Sequence, residues 1–493
     1  MNSFIALLTA RAHEEGRAQR TALFRHRAIA KYPICIVAFQ LGAEPYAVGA
    51  IALGTQASGF KLFVPGYPIN RQLLFAELLK FAKDFCPAFE AYTKGPCEEV
   101  EHFGAVLEAP KLLPQIVVAN NETIGLLGRL GRRLAYLPLD GANAADPLLP
   151  RLGRHLMWIA QHAQLPGQQL ILSVTDLLAT HYATAMSSVE TGSLTAMDAW
   201  IDPPKGKHGF HAAELAERQV IGPTPSPKDG ETIFALMKVF NEQRVGSTDP
   251  VLVQKLAQPL RKLYGSMVDE TWKLVWKVID RERARTEAVS LMRRVRDDRI
   301  AYASHMAWMN GPVGGRRKTR MNPRGAAMRL DVLERAKTVL AAEEAIDDPL
   351  RMAPHLLGGK ALAGKVVWHD PTRREMINGR HCLRPSVTVR TQEPCTIPRG
   401  TEFWWTKAPA HREWIVHNIA PANGESDVTL VLQTNRIPEI GLPKLASRVC
   451  FSEFNVRPGY ELFLPSKVPW THRVPDPAVG VDLDYNGPGA EAA

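Results

Sequence analysis

The chain has 493 residues, 45% of them apolar and 22% charged, with a net charge of +10 at neutral pH. This composition excludes a chain disordered throughout and allows roughly two to four domains with cores of their own. No stretch reaches the ~18 apolar residues of a membrane span. The opening MNSFIALLTARAHEEGR reads as a helix rather than a signal peptide, and six cysteines without a C-x-x-C pair fit a reducing cytoplasm.

After that helix, YPICIVAFQ, PYAVGAIALG and GFKLFVPG are rich in Val, Ile and Phe and are separated by Gly/Pro turns, which predicts a meander of three short strands. NRQLLFAELLKFAKDF then places Leu73, Ala76, Leu79 and Phe81 at helical spacing. PQIVVANN predicts a strand, ETIGLLGRLGRRLAYL and DPLLPRLGRHLMWIAQHA predict helices, QQLILSVT a strand and DLLATHYATAM a helix. The glycine run from Gly125 to Arg133 lies inside a helical pattern and is too loose for a nucleotide-binding loop.

This order of elements resembles the ribonuclease H-like fold over residues ~30–186. FAELLKF puts Glu77 where that family carries an acid on the helix after the third strand, and VTDLLATHYA offers Asp176 as the last acid. The first strand offers only Gln40, and the fourth ends in Asn120-Asn121. The resemblance implies an α/β domain at 1–200 with a mixed five-stranded sheet. It also implies that Gln40, Glu77, Asn120 and Asp176 converge at one end of that sheet. Two-metal phosphodiester hydrolysis needs carboxylates to hold its ions, and amides at two of four positions remove about two negative charges from the cage. The expectation is a degenerate domain that binds without cutting and uses no cofactor. The alternative is an Mg²⁺-dependent nuclease in which Glu77 and Asp176, with Glu122 or Asp84, rebuild a site.

Prolines 203, 204, 223, 225 and 227 mark 201–230 as a linker. A helical domain is expected over 231–350, with a capping pattern at Ser266/Asp269. Between Arg281 and Arg329 it carries 13 Lys/Arg against 4 Asp/Glu, the kind of local charge that suits nucleic acid or another polyanion. Arg281, Arg285 and Arg299 interrupt the apolar line of Ala288, Met292, Val295, Tyr302, Met306 and Met309. Either they snorkel out at its edge or they line a cleft for phosphates. Arg316, Arg317, Lys318, Arg320 and Arg324 follow a Gly hinge, and Asn322-Pro323 there reads as an N-cap with Pro at the first helical position. This loop is no P-loop, because Arg317 rather than Gly precedes Lys318 and the upstream pattern is helical.

From Gly364 the pattern turns to β: GKVVWH, SVTVRT, GTEFWWT, REWIVHNI, DVTLVLQT and ASRVCFSEF predict a Trp-rich small barrel over 355–465, followed by a disordered tail at 466–493. Trp404 and Trp405 must point to opposite faces of one strand, so one of them is available to stack on a base or to pack elsewhere. His369, His381, Cys382 and Cys395 lack zinc-ligand spacing, and no G-x-S-x-G elbow surrounds a serine. The chain is therefore expected to be a multidomain, cytoplasmic, DNA- or RNA-binding protein, on its own or as a subunit of a complex, with no membrane partner. A third reading has the basic segment facing an acidic protein.

Overall fold

The strand ICIVAFQL is apolar on both of its faces, which is the pattern of a strand covered on two sides. The computed structural model describes residues 3–41, 44–102, 104–141, 144–187, 190–218, 221–311, 322–392 and 396–454. It divides into two compact units, 5–320 and 321–493 together with residues 1–4.

In the larger unit, five strands among the described residues form one sheet: β1 (Ile34–Leu41), β2 (Glu44–Thr55), β3 (Gly59–Phe63), β4 (Ile116–Val118) and β5 (Ile171–Ser173). Their order is β3-β2-β1-β4-β5. β2 pairs antiparallel with β1 on one side and β3 on the other, while β4 and β5 run parallel to β1 in the registers Ile36↔Val118 and Val118↔Ser173.

One face of the sheet presents Ile34, Ile36 and Ala38 to α1 (Arg71–Glu90), α2 (Asn121–Ala135) and α3 (Leu148–His162). The other face presents Cys35, Val37 and Phe39 to α4 (Val174–His181) and α5 (Leu194–Ile201). Two short helices cannot cover a face of that width. The rest comes from α6 (Pro227–Arg244) and α7 (Gln258–Arg283), whose Ile233, Met237, Val268 and Val275 join the second core. α8 (Leu291–Asn310) returns to the first core through Leu291, Tyr302 and Met306.

The helices expected as a separate domain over 231–350 thus complete the α/β unit up to Asn310. The physical reason is that a sheet with two apolar faces must bury both. Likewise the 201–230 stretch is not a free linker: it contains the helix Gly209–Ala216, and part of it lies on the sheet. α7 runs straight through Ser266, so the capping pattern there is unused. Met292 is exposed, although Ala288, Tyr302, Met306 and Met309 of its line are buried.

The smaller unit begins with α9 (Pro323–Asp347), capped as the sequence expects by Asn322, whose Oδ1 accepts from the Gly325 N–H at 2.7 Å. α10 (Pro349–Leu357) follows. Six strands among the described residues, β6 (Ala361–Asp370), β7 (Ser386–Thr391), β8 (Glu402–Trp405), β9 (Trp414–Ala422), β10 (Glu425–Leu432) and β11 (Arg448–Ser452), then pair in the order β6-β7-β10-β9-β8-β11. β11 pairs back onto β6, which closes the barrel. The proposed tail at 466–493 lies outside the described residues. Among the described residues no helix is long and apolar enough to cross a membrane.

A buried carboxylate fastens α7 to the rest of the larger unit. Glu282 has no solvent exposure. It accepts from Tyr182 Oη at 3.0 Å and lies 3.3 Å from Arg285 and 3.5 Å from His181 Nδ1. His181 Nε2 accepts the His26 backbone N–H at 3.0 Å, so it must stay unprotonated. Burial lowers the His181 pKa from 6.5 to about 4, outweighing the pull of Glu282. As pH falls below 6.5 the unfolded chain takes up a proton that the folded chain refuses until about pH 4. Stability is therefore full above pH 6.5 and is lost across that window, by an amount on the order of 3 kcal/mol. Calorimetric melting temperatures from pH 7 to 4 should show this decline in the native chain and a shallower one in His181→Gln.

Candidate functional site

Because β1, β4 and β5 are parallel, their carboxyl ends lie at one end of the sheet, where open α/β sheets place ligands. Gln40 is the penultimate residue of β1, Asn120 follows β4, and Asp176 lies in the first turn of α4 after β5. The structure brings the first two of these together. Asn120 Oδ1 caps α2 by accepting from the Thr123 N–H at 3.1 Å and from Thr123 Oγ1 at 2.9 Å. Its Nδ2 donates to the carbonyls of Gly222 at 2.6 Å and Ile221 at 3.4 Å. The Gln40 backbone N–H donates to Pro223 O at 2.7 Å, and Gln40 Nε2 to Thr224 Oγ1 at 3.1 Å. Residues 221–224 are thus a strap across the ends of β1 and β4. Gly222 is needed there, since a Cβ would lie 2.7 Å from the Ala38 carbonyl oxygen.

Asp176 has a different partner, accepting from Asn121 Nδ2 at 2.6 Å. Glu77 is elsewhere. It is buried beside the edge strand β3, accepts the Val64 N–H at 3.2 Å, and pairs with Arg261 at 2.6 Å and Lys80 at 2.7 Å. β3 and β5 are opposite edges of the sheet, roughly 19 Å apart at ~4.8 Å per strand. Moreover α1 and α4, which carry Glu77 and Asp176, cover opposite faces. The expected convergence of all four side chains does not occur, and two carboxylates so far apart cannot share a metal pair. The other acids considered do not bridge them: Asp84 lines the same cleft as Glu77 and pairs with Lys61 at 2.6 Å, and Glu122 is exposed in the first turn of α2.

What does gather at this end of the sheet is cationic. A cleft of about 410 Å³ between α2, α3 and β5 is lined by Arg27, Arg129 and Arg132 with Asn121, Gln164 and Asp176. Arg129 Nη2 donates to Gln40 Oε1 at 3.0 Å, so a guanidinium sits against the first-strand amide. Arg27 is steadied by the Gln168 carbonyl at 2.9 Å. Arg132 is exposed at the rim. The glycine run serves this geometry. Cβ atoms at Gly131 and Gly153 would come within 2.5 Å and 2.3 Å of the opposite helix backbone, so α2 and α3 can pack only without them. At Gly125 a Cβ would lie 3.3 Å from Arg129 Nη1.

The basic segment is used differently from the expectation. Arg281 binds Asp198 at 2.6 Å, Arg285 donates to the Ala22 carbonyl and pairs with Glu282, and Arg299 pairs with Glu98 and donates to the Pro110 carbonyl. All three are mostly buried and fasten the α/β unit. A local charge count misses this because Asp198 and Glu98 come from distant sequence. Arg316, Arg317, Lys318 and Arg320 lie outside the described residues, as does Cys395, and Arg324 is exposed on the first turn of α9. In the barrel, Trp405 belongs to the core, whereas Trp404 is half-buried and outside it. Trp368, on β6, is 49% exposed. Comparison with models of protein families, with curated proteins and with solved structures finds no match to this chain.

The strap explains why an amide suits position 120. Asn120→Asp keeps the cap but removes both donors and sets a charge against the Gly222 carbonyl. It is expected to cost about 1–3 kcal/mol in urea unfolding and to speed hydrogen exchange of the Gln40 amide; unchanged values for both would show that the strap is not held by Asn120.

Proposed function

We propose that this protein binds nucleic acid without cutting it, through an N-terminal domain that is a degenerate ribonuclease H-like fold. The strand order and the parallel β1-β4-β5 core support the fold, while Glu77, paired with Arg261 apart from Gln40, Asn120 and Asp176, departs from the site the resemblance implies. The binding reading rests on one observation above all: at the carboxyl ends of β1 and β4 the polar groups are the amides Gln40, Asn120 and Asn121, Asp176 after β5 is bonded to Asn121, and Arg129 lies against Gln40 with Arg27 and Arg132 along the same cleft. Where a nuclease would need acids to hold metal, this chain has amides and a guanidinium, which engage phosphate oxygens directly and bidentately.

In this reading Arg27, Arg129 and Arg132 form the main backbone contact. Arg316, Arg317, Lys318, Arg320 and Arg324 add a second set, and Trp404 or Trp368 offers a base-stacking surface on the barrel. Trp405, Arg281, Arg285 and Arg299 are withdrawn from the interface, because the core and internal ion pairs use them. A cytoplasmic location accompanies the proposal, in keeping with the free thiols of Cys35 and Cys86.

Fluorescence anisotropy with labelled single strands, duplexes and RNA–DNA hybrids over a salt series tests this reading. Affinity should fall with salt by a log–log slope of roughly −0.7 to −0.9 per phosphate contact. Arg129→Gln/Arg132→Gln should reduce that slope by about one to two and weaken all sequences alike, as backbone contacts do. Arg316→Ala/Arg317→Ala/Lys318→Ala should reduce it by about two to three. With Mg²⁺ or Mn²⁺ no strand should be cleaved. Metal-dependent cleavage that is stopped by a chelator and vanishes in Asp176→Asn would overturn this proposal. Salt-independent or absent binding would favour an acidic protein partner.

A further inference from the structure

On the other side of α3 from the arginine cleft, a second group of side chains has no part in the proposed interface. Cys86 and Glu90 lie one turn apart on α1, and His155 projects toward them from α3. One donor atom of each, the Cys86 sulfur, a Glu90 oxygen and a His155 ring nitrogen, lies within 4.8 Å of the others. Cys86 and His155 are buried, and Glu90 is half-buried. We propose that these three side chains bind a zinc ion.

The chemistry of the donors selects the metal. A thiolate, an imidazole and a carboxylate form a mixed, borderline-soft set that suits Zn²⁺, whereas Mg²⁺ and Ca²⁺ require oxygen throughout. Ligand atoms of a tetrahedral zinc with bonds of 2.0–2.3 Å are roughly 3.3–3.8 Å apart. The cluster reaches that spacing if its widest distance contracts by at most about 1 Å and the 2.8 Å contact between His155 Nε2 and Glu90 Oε1 opens.

The surroundings are those of a metal ligand set. His155 Nδ1 is 3.0 Å from His305 Nε2 on α8, and His305 is stacked on Trp158 with centroids 4.0 Å apart and planes 4° from parallel. A second residue that holds the far ring nitrogen is what orients a ligating histidine. Arg151 Nε donates to Glu90 Oε1 at 2.6 Å, which fixes the carboxylate and leaves Oε2 without a protein hydrogen bond among the described residues. The Cys86 thiol donates to no acceptor among the described residues. This buried sulfur faces two polar groups within a core otherwise built from Phe85, Phe89 and Tyr302.

Loading balances as follows. The thiol of Cys86 releases its proton to solvent as the sulfur–zinc bond forms. The His155 proton shifts from Nε2 to Nδ1, where it stays and hydrogen-bonds to His305 Nε2, while His305 carries its own proton on Nδ1. Both rings stay neutral, so one proton is released per ion. Water fills the fourth position. The ion ties α1 to α3 directly and to α8 through His305, on the same face of the sheet as the arginine cleft.

The test uses the full chain, freed of metal by dialysis against a chelator and titrated with Co²⁺ and then Zn²⁺. One equivalent of Co²⁺ should produce a near-ultraviolet thiolate-to-cobalt band, which Zn²⁺ bleaches. The band should be lost in Cys86→Ser and in His155→Gln and kept in Cys382→Ser. X-ray absorption at the zinc edge of the native chain should find one sulfur with nitrogen or oxygen neighbours, a readout that stands even where a variant does not fold. No thiolate band, a band that survives in Cys86→Ser, or a zinc shell with no sulfur or with two would overturn the proposal. Nucleic-acid affinity plays no part in the readout, so this site and the arginine cleft succeed or fail separately.

Discussion

The buried amide of Asn120 is the constraint on which the candidate site depends. One side of the group caps α2 and the other holds the carbonyls of the 221–224 strap. Only an amide can both accept and donate in this way. An aspartate would serve the helix equally well but would repel the strap, and the strap also receives the Gln40 backbone N–H. The amide at the end of β4 is thus coupled to the packing of a segment a hundred residues away.

The same logic governs charge. A net charge of +10 would ordinarily point to a broad basic surface, yet several arginines of the basic segment are consumed inside the fold. Arg294 is buried and donates to the His26 carbonyl at 3.1 Å, and Arg281 and Arg285 converge on acids that also hold α7. Breaking such pairs leaves an uncompensated buried charge, which costs more than the pair contributes in place. These arginines are therefore architectural. The arginines that line the cleft lie elsewhere, on α2 and in the segment before β1, in a region whose sequence looks like a glycine-patterned helix rather than a basic patch.

Polar clusters recur at helix junctions of the larger unit. Glu282 joins α7 to the end of α4, Glu90 joins α1 to α3, and Asp298 on α8 receives His162 at 2.6 Å and the Gln169 N–H. Each buried acid is met by several donors, which is the condition for tolerating it in a low-dielectric interior. Together they specify which helix lies over which part of a sheet whose apolar faces alone would accept several arrangements.

Much of this fold was legible from local pattern. The strands at Ile34–Leu41, Ile116–Val118 and Ile171–Ser173, the helices between them, the Asn322 cap and the six strands of the barrel follow from periodicity, turn residues and capping, which act within a few residues. That one of Trp404 and Trp405 lies outside the barrel core follows from strand alternation alone. The tertiary structure decided the rest. It set Glu77 and Asp176 at opposite edges of the sheet and laid residues 221–224 across the strand ends as a strap. It also drew α6 and α7 onto the second face, and brought Cys86, Glu90 and His155 together from two helices. Each of these depends on which distant surfaces meet, because a sheet must cover both apolar faces and a buried charge must find a partner wherever the chain supplies one. Spacing along a single chain holds no record of that.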